Sequence, residues 1–187
     1  MINGRIKKID NLSGKEIAHI ENPYFNITVY HFSSHAHAPG DKKSAGPGIV
    51  LGEGCAYIPW YVFWDYGENG SLICKKLVCH VLDELLGKEK TVETSLPAHF
   101  IVTFTRQKER LVLHLLYASP VKRGKNVEVI EDILPLYDIH VKIRTAEPAK
   151  KVILEPQKEE IPFVQEKDRI CFTVPRLENH QMAVIEL

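Results

Sequence analysis

Residues 98–119 read AHFIVTFTRQKERLVLHLLYAS. Two runs rich in apolar and β-branched residues flank Gln107-Lys108-Glu109, and each has the length of an ordinary strand. So short a polar connection leaves the second run no choice but to fold back antiparallel on the first, as a hairpin. Downstream the same signal recurs at spacings of roughly ten residues, in DIHVKIRT (138–145), KKVILEP (150–156), EIPFVQE (160–166), RICFTVP (169–175) and QMAVIEL (181–187). Short strands at that spacing predict a β-sandwich. Pro148-Ala149 and Asp168-Arg169 supply turns, and the prolines at 120, 135, 148, 156, 162 and 175 fall at strand ends or edges, where a missing N–H does least harm.

Upstream of this all-β part the pattern is mixed. Residues 16–20 (EIAHI) and 26–32 (NITVYHF) alternate like half-buried strands. DKKSAGPG (41–48) reads as a Gly/Pro/Lys loop that cannot be regular structure. Two short β runs, 48–51 and 55–58, surround a Gly-Glu-Gly turn as a hairpin or a bulged strand, and Pro59 ends the second. Residues 71–86, SLICKKLVCHVLDELL, predict a helix with Ser71 as N-cap and Gly87 as the C′ residue that stops it. Ile73, Leu77, Val81 and Leu85 make an apolar stripe, widened by Val78, Leu82 and Leu86, that must pack on something, most naturally a sheet. The expected division is 1–90, an α/β segment, and 91–187, a β-sandwich domain.

Composition excludes some partners. Lys plus Arg (24) equals Asp plus Glu (24), which gives no basic excess for nucleic acid or an anionic membrane. No apolar run approaches the roughly 18–20 residues of a membrane span, and the N-terminus lacks the apolar core of a signal peptide. Cys55, Cys74, Cys79 and Cys171 form no C-x-x-C pair and read as reduced thiols of a cytoplasmic protein.

Three constellations bear on chemistry. HFSSHAHAP (31–39) places His31, His35 and His37 within seven positions. On a helix His31 and His35 share a face, on a strand His35 and His37 do, and no regular element aims all three at one ion. Catalytic zinc wants three ligands plus water and structural zinc wants four. With only Asp41 nearby, the cluster reads as a polar loop with no metal assigned, and a small metal-dependent enzyme built on it is the rival reading. The aromatic run Tyr57, Trp60, Tyr61, Phe63, Trp64, Tyr66 holds both tryptophans. It fits core or interface packing, while Trp60, Tyr61 and Trp64 on an exposed loop would make a carbohydrate-binding module. Glu128, Glu131 and Asp132 read as surface carboxylates or partners of Lys122, Arg123 and Lys125 rather than as a glycosidase pair, and His114 as a satisfied core histidine. No phosphate loop, nucleophile elbow or H-E-x-x-H occurs.

Several stretches in order resemble the C-terminal region of a glycoside-hydrolase-like family of β-galactosidase- and α-L-fucosidase-type proteins. They are PYFNITVYHFSSHAHAP (23–39), the aromatic exit before a helix ending DELLG (83–87), residues 95–144 and FTVPRLENHQMAVIEL (172–187). The likeness covers roughly residues 18–187, and HLLYASPVKRG…VEVIEDILPL is its most distinctive part. It implies a catalytic (β/α)8 barrel, then a flavodoxin-like domain related to a β-galactosidase trimerisation domain, then a small β-sandwich. A barrel needs about 250 residues and this chain has 187, so the barrel's catalytic carboxylates map to no position here. The expected fold is therefore α+β, a partial flavodoxin-like α/β segment followed by a small all-β sandwich. The chain is expected to be a piece of a longer protein, a split-gene product or a stand-alone remnant. Its expected role is non-catalytic: packing on a barrel partner, forming a homo-oligomer, or lending His31, His35, His37, Trp60, Tyr61 and Trp64 to the edge of a sugar site. No catalytic residue, metal or cofactor is assigned.

Overall fold

In the computed structural model, residues 2, 5–24, 29–30 and 39–187 are described. The chain divides into two units, Met1–Gly87 and Lys88–Leu187.

The first unit opens with β1 (Lys15–Pro23), β2 (Gly40–Gly52) and β3 (Cys55–Tyr57), which form an antiparallel sheet in the order β1-β2-β3. The segment expected to be an irregular loop, 41–48, is strand. Bulges make this tolerable, because the β1–β2 register slips between Glu16 and Ala18, Ala18 and His19, Ile20 and Glu21, and Glu21 and Pro23. Lys42 and Gly46 take positive φ there (60° and 132°). β3 pairs only with Val50, Leu51 and Gly52, so Pro47 has a neighbouring strand on one side alone and its missing N–H is harmless. Gly48 is required where β1 comes close, since a Cβ there would lie 3.1 Å from the backbone carbon of His19. Residues 25–28 and 31–38 of the two stretches expected between β1 and β2 lie outside the described residues. Val29 and Tyr30 form an exposed turn rather than strand.

Two helices follow, α1 (Val62–Asn69) and α2 (Leu72–Leu86). Gly70 ends α1 in the left-handed region (φ 61°), with its N–H on the Tyr66 carbonyl at 2.9 Å. α2 runs between Ser71 and Gly87 as its sequence predicts. Its buried stripe, however, is Cys74, Leu77, Val78, Val81 and Leu85, so Ile73, Leu82 and Leu86 are left exposed.

This unit is not a flavodoxin-like segment. That fold needs parallel strands joined by helical crossovers. Here, among the described residues, every strand pair is antiparallel, and both helices come in succession after β3. The cause is local: β2 and β3 are joined by Glu53-Gly54 alone, with Gly54 at φ 66°, too short for any crossover.

The second unit is a β-sandwich. One sheet has the order β11-β10-β14-β6-β5 and the other β12-β13-β9-β4. The first comprises β5 (Phe100–Gln107), β6 (Arg110–Tyr117), β10 (Lys151–Glu155), β11 (Glu159–Ile161) and β14 (His180–Glu186). The second comprises β4 (Val92–Thr94), β9 (Leu136–Arg144), β12 (Phe163–Glu166) and β13 (Arg169–Leu177). Alternate residues of both sheets, among them Leu113, Leu115, Val141, Ile143, Ile170 and Ile185, close one core. EIPFVQE, which reads as a single strand, splits at Pro162: β11 pairs with β10 in one sheet and β12 with β13 in the other. Proline has no N–H to lose, so the chain changes sheets there at little cost.

Between β6 and β9 the chain leaves the sandwich as a short arm holding β7 (Val121–Lys122) and β8 (Glu128–Val129).

Candidate functional site

The residues singled out in the sequence are distributed unevenly. His31, His35 and His37 lie outside the described residues. Among the described residues no group of three or more His, Cys, Asp or Glu side chains could hold a metal ion. Trp60, Tyr61 and Trp64 lie together at the start of α1. The backbone enters it through a bridge between Ile6 and Trp60 and a 2.8 Å hydrogen bond from the Lys7 N–H to the Pro59 carbonyl.

Helix geometry sorts the aromatic run. Val62 and Asp65 fall on the buried side of α1, which leaves Tyr61 (69% exposed), Phe63 (72%) and Trp64 (54%) facing out. Leu72 and Ile73 at the start of α2 are exposed as well (61% and 68%). Large apolar side chains contiguous on a surface mark interaction sites more often than chance exposure does. Beside them is a cleft of about 450 Å³ lined by Arg5, Ile6, Lys7, Tyr57, Trp60 and Tyr61. The Trp60 indole N–H is buried and has no hydrogen-bond partner among the described residues. An enclosed donor of this kind costs free energy until something accepts from it.

Asp65 holds the flank in shape, and the sequence offers no sign of it. Its carboxylate is fully enclosed, takes a 2.9 Å hydrogen bond from Asn69 Nδ2 and a 3.5 Å contact from the Cys74 thiol, and so ties α1 to α2.

The sandwich carries two further features. The arm exposes Val127, Ile130, Ile133 and Leu134. It is braced by Arg123, which donates from Nε to Glu131 Oε1 at 2.6 Å and from Nη2 to Glu131 Oε2, while its N–H reaches the Val127 carbonyl at 3.1 Å. The Arg123 hydrogen bond holds the Glu131 carboxyl below the ordinary carboxylate range. Second, His114 is not a core histidine. Leu111, Leu113 and Leu115 point inward, so His114 stands on the outer face of the sheet, where its Nδ1 lies 3.0 Å from His180 Nε2. No helix among the described residues is long and apolar enough to cross a membrane.

Taken together, the fold is that of a β-sandwich module with a small, bulged antiparallel sheet and a helical flank whose aromatic side is unsatisfied. A solved structure makes the likeness specific. Over 99% of its length the chain is similar to α-L-fucosidase isoenzyme 2 from Paenibacillus thiaminolyticus, at 44% sequence identity with a TM-score of 0.90. It covers 28% of that enzyme's chain. The resemblance to a region of a glycoside-hydrolase-like protein, read from the ordered stretches of sequence, therefore holds. No family model and no curated protein matches the sequence.

Proposed function

We propose that this chain is a non-catalytic accessory and assembly region of a longer glycoside-hydrolase-like protein, docking through its helical flank onto a catalytic barrel or onto further copies of itself. The observation that carries the reading is the exposure of Tyr61, Phe63, Trp64, Leu72 and Ile73 on a chain that matches 28% of an α-L-fucosidase. Burying aromatic and aliphatic surface of that kind stabilises an interface by about 25 cal/mol per Å² removed from water. The likeness favours a fucosidase-type over a β-galactosidase-type parent. The four free cysteines fit a reducing compartment such as the cytoplasm.

The test is a chimera in which this chain replaces the matching segment of the Paenibacillus enzyme. The expected product is soluble and hydrolyses an aryl α-L-fucoside, and Phe63→Glu with Trp64→Glu prevents its assembly. A chimera that assembles equally well with both glutamates refutes the docking role.

The cleft lined by Tyr57, Trp60 and Tyr61 favours a second reading, a carbohydrate subsite. A pyranose face would stack on an aromatic ring there. Tryptophan fluorescence titrated with fucosides and galactosides measures it. A response lost in Trp60→Phe supports the subsite, and a flat response across the panel removes it.

A further inference from the structure

The segment that leads into α1 builds a cleft whose charge the docking role does not use. Ile6 and Trp60 form an antiparallel bridge, closed by the Lys7 N–H on the Pro59 carbonyl at 2.8 Å. In an antiparallel pair the flanking residues also stand opposite each other, which sets Arg5 against Tyr61 and Lys7 against Pro59. Side chains alternate between faces, so these four share the face opposite to that of Ile6 and Trp60, and Tyr57, two residues before Pro59, joins them. The burial pattern agrees: Pro59 is buried as a floor, while Arg5, Lys7, Tyr57 and Tyr61 are exposed around it. The cleft here holds about 450 Å³, within the range of small-molecule sites. No carboxylate lines it, and the ion pairs among the described residues use neither Arg5 nor Lys7. In a chain with no net charge, two cations that no carboxylate neutralises therefore stand beside exposed aromatic rings.

We infer that this cleft takes an anion-bearing saccharide, a pyranoside with a sulfate or carboxylate substituent. This rests on the carbohydrate-subsite reading of the cleft and adds the charge of the ligand to it. The chemistry of the lining makes the choice. Guanidinium and ammonium groups donate and cannot accept, so the ligand must bring acceptors, and the oxygens of a sulfate or carboxylate serve both cations at once. Tyr57, which the docking surface does not include, offers a ring for the C–H face of a pyranose and a hydroxyl for its polar edge. An anion alone would leave that ring uncovered, and a neutral sugar would leave both cations facing water. The charge contacts are solvent-exposed, where each pair is worth little, so charge should add about five- to tenfold in affinity rather than orders of magnitude.

Calorimetric titration and tryptophan fluorescence of the full chain compare methyl galactoside, galactose 6-sulfate, galacturonate and inorganic sulfate. Both acidic sugars should bind about five- to tenfold more tightly than methyl galactoside. Inorganic sulfate should bind at least about tenfold more weakly than galactose 6-sulfate, since it cannot use the tyrosine ring. The acidic preference should vanish in roughly 1 M NaCl, where screening cuts the Debye length to about 3 Å. In Arg5→Gln with Lys7→Gln it should fall below about twofold while methyl galactoside binds as before, which also shows that the cleft survives. Equal affinity for neutral and acidic sugars overturns the inference and leaves the carbohydrate subsite standing, whereas no response to any sugar removes both. A preference that persists in high salt or in the double glutamine variant, or inorganic sulfate that binds as tightly as its sugar, also overturns it.

Discussion

Asp65 shows how one residue can organise an element without announcing itself. It sits in WYVFWDYG among aromatics, where a carboxylate reads as a solvated break in the run, yet it is fully buried against Asn69 and Cys74. Asp65→Ala removes the acceptor of the Asn69 amide and of the buried Cys74 thiol and should destabilise the first unit by about 1–3 kcal/mol, measured by urea unfolding followed at tryptophan. At the two-residue turn between β12 and β13, Lys167 is held at φ 53°, a conformation that disfavours a side chain with a Cβ. Lys167→Gly should therefore raise the stability of the sandwich by about 1 kcal/mol, read from its denaturant midpoint. His114 was legible in principle. Period two along RLVLHLLY puts residues 111, 113 and 115 inside and 114 outside, but apolar neighbours on both sides disguise the alternation. The partner, His180, was not legible, because a cross-strand register is not written in either strand.

At the scale of elements, strands with strong alternation and the span of α2 could be read directly from sequence, although the Ser71 side chain makes no capping hydrogen bond, and the bulged β2 could not. Its glycines and Pro47 look like loop signals because propensity counts them one at a time. In the fold, four register slips distribute the irregularity along a strand that still pairs. The apolar stripe of α2 was misplaced by part of a turn for a related reason. A helix apolar over most of its circumference does not reveal which side is covered, and Ile73, Leu82 and Leu86 proved to be on the uncovered side. The arm between β6 and β9 has its own switch. The Glu131 carboxyl is held below its ordinary range by Arg123, so the folded arm resists protonation relative to the open one. The pair's contribution is present above the usual carboxylate pKa and is lost as pH falls through the lowered value. The protection factor of the Arg123 amide, whose N–H reaches Val127, should fall on acidification across that window. In Arg123→Gln the protection should be low at every pH, and a high, pH-independent protection factor in the parent contradicts the brace.

For the whole molecule, the sandwich has a closed core of its own. Leu113 is fully enclosed between the sheets, and Leu113→Ala should cost about 2–5 kcal/mol in thermal or chemical unfolding. The first unit is different. Its sheet is small and bulged, and its helices bury one side while presenting aromatic and aliphatic side chains on the other. Such a unit makes physical sense as the edge of something larger, in agreement with a likeness that spans 28% of an α-L-fucosidase chain. The sequence supported that connection through ordered stretches of similarity, and it misled on fold, because the resemblance implied a flavodoxin-like segment where a two-residue turn enforces antiparallel pairing. The most direct measurement is sedimentation velocity of two separately produced pieces: this chain, and the Paenibacillus enzyme lacking its matching segment. A single faster boundary containing both is expected, abolished by Phe63→Glu with Trp64→Glu. Two independent boundaries, with this chain folded and alone, would contradict it.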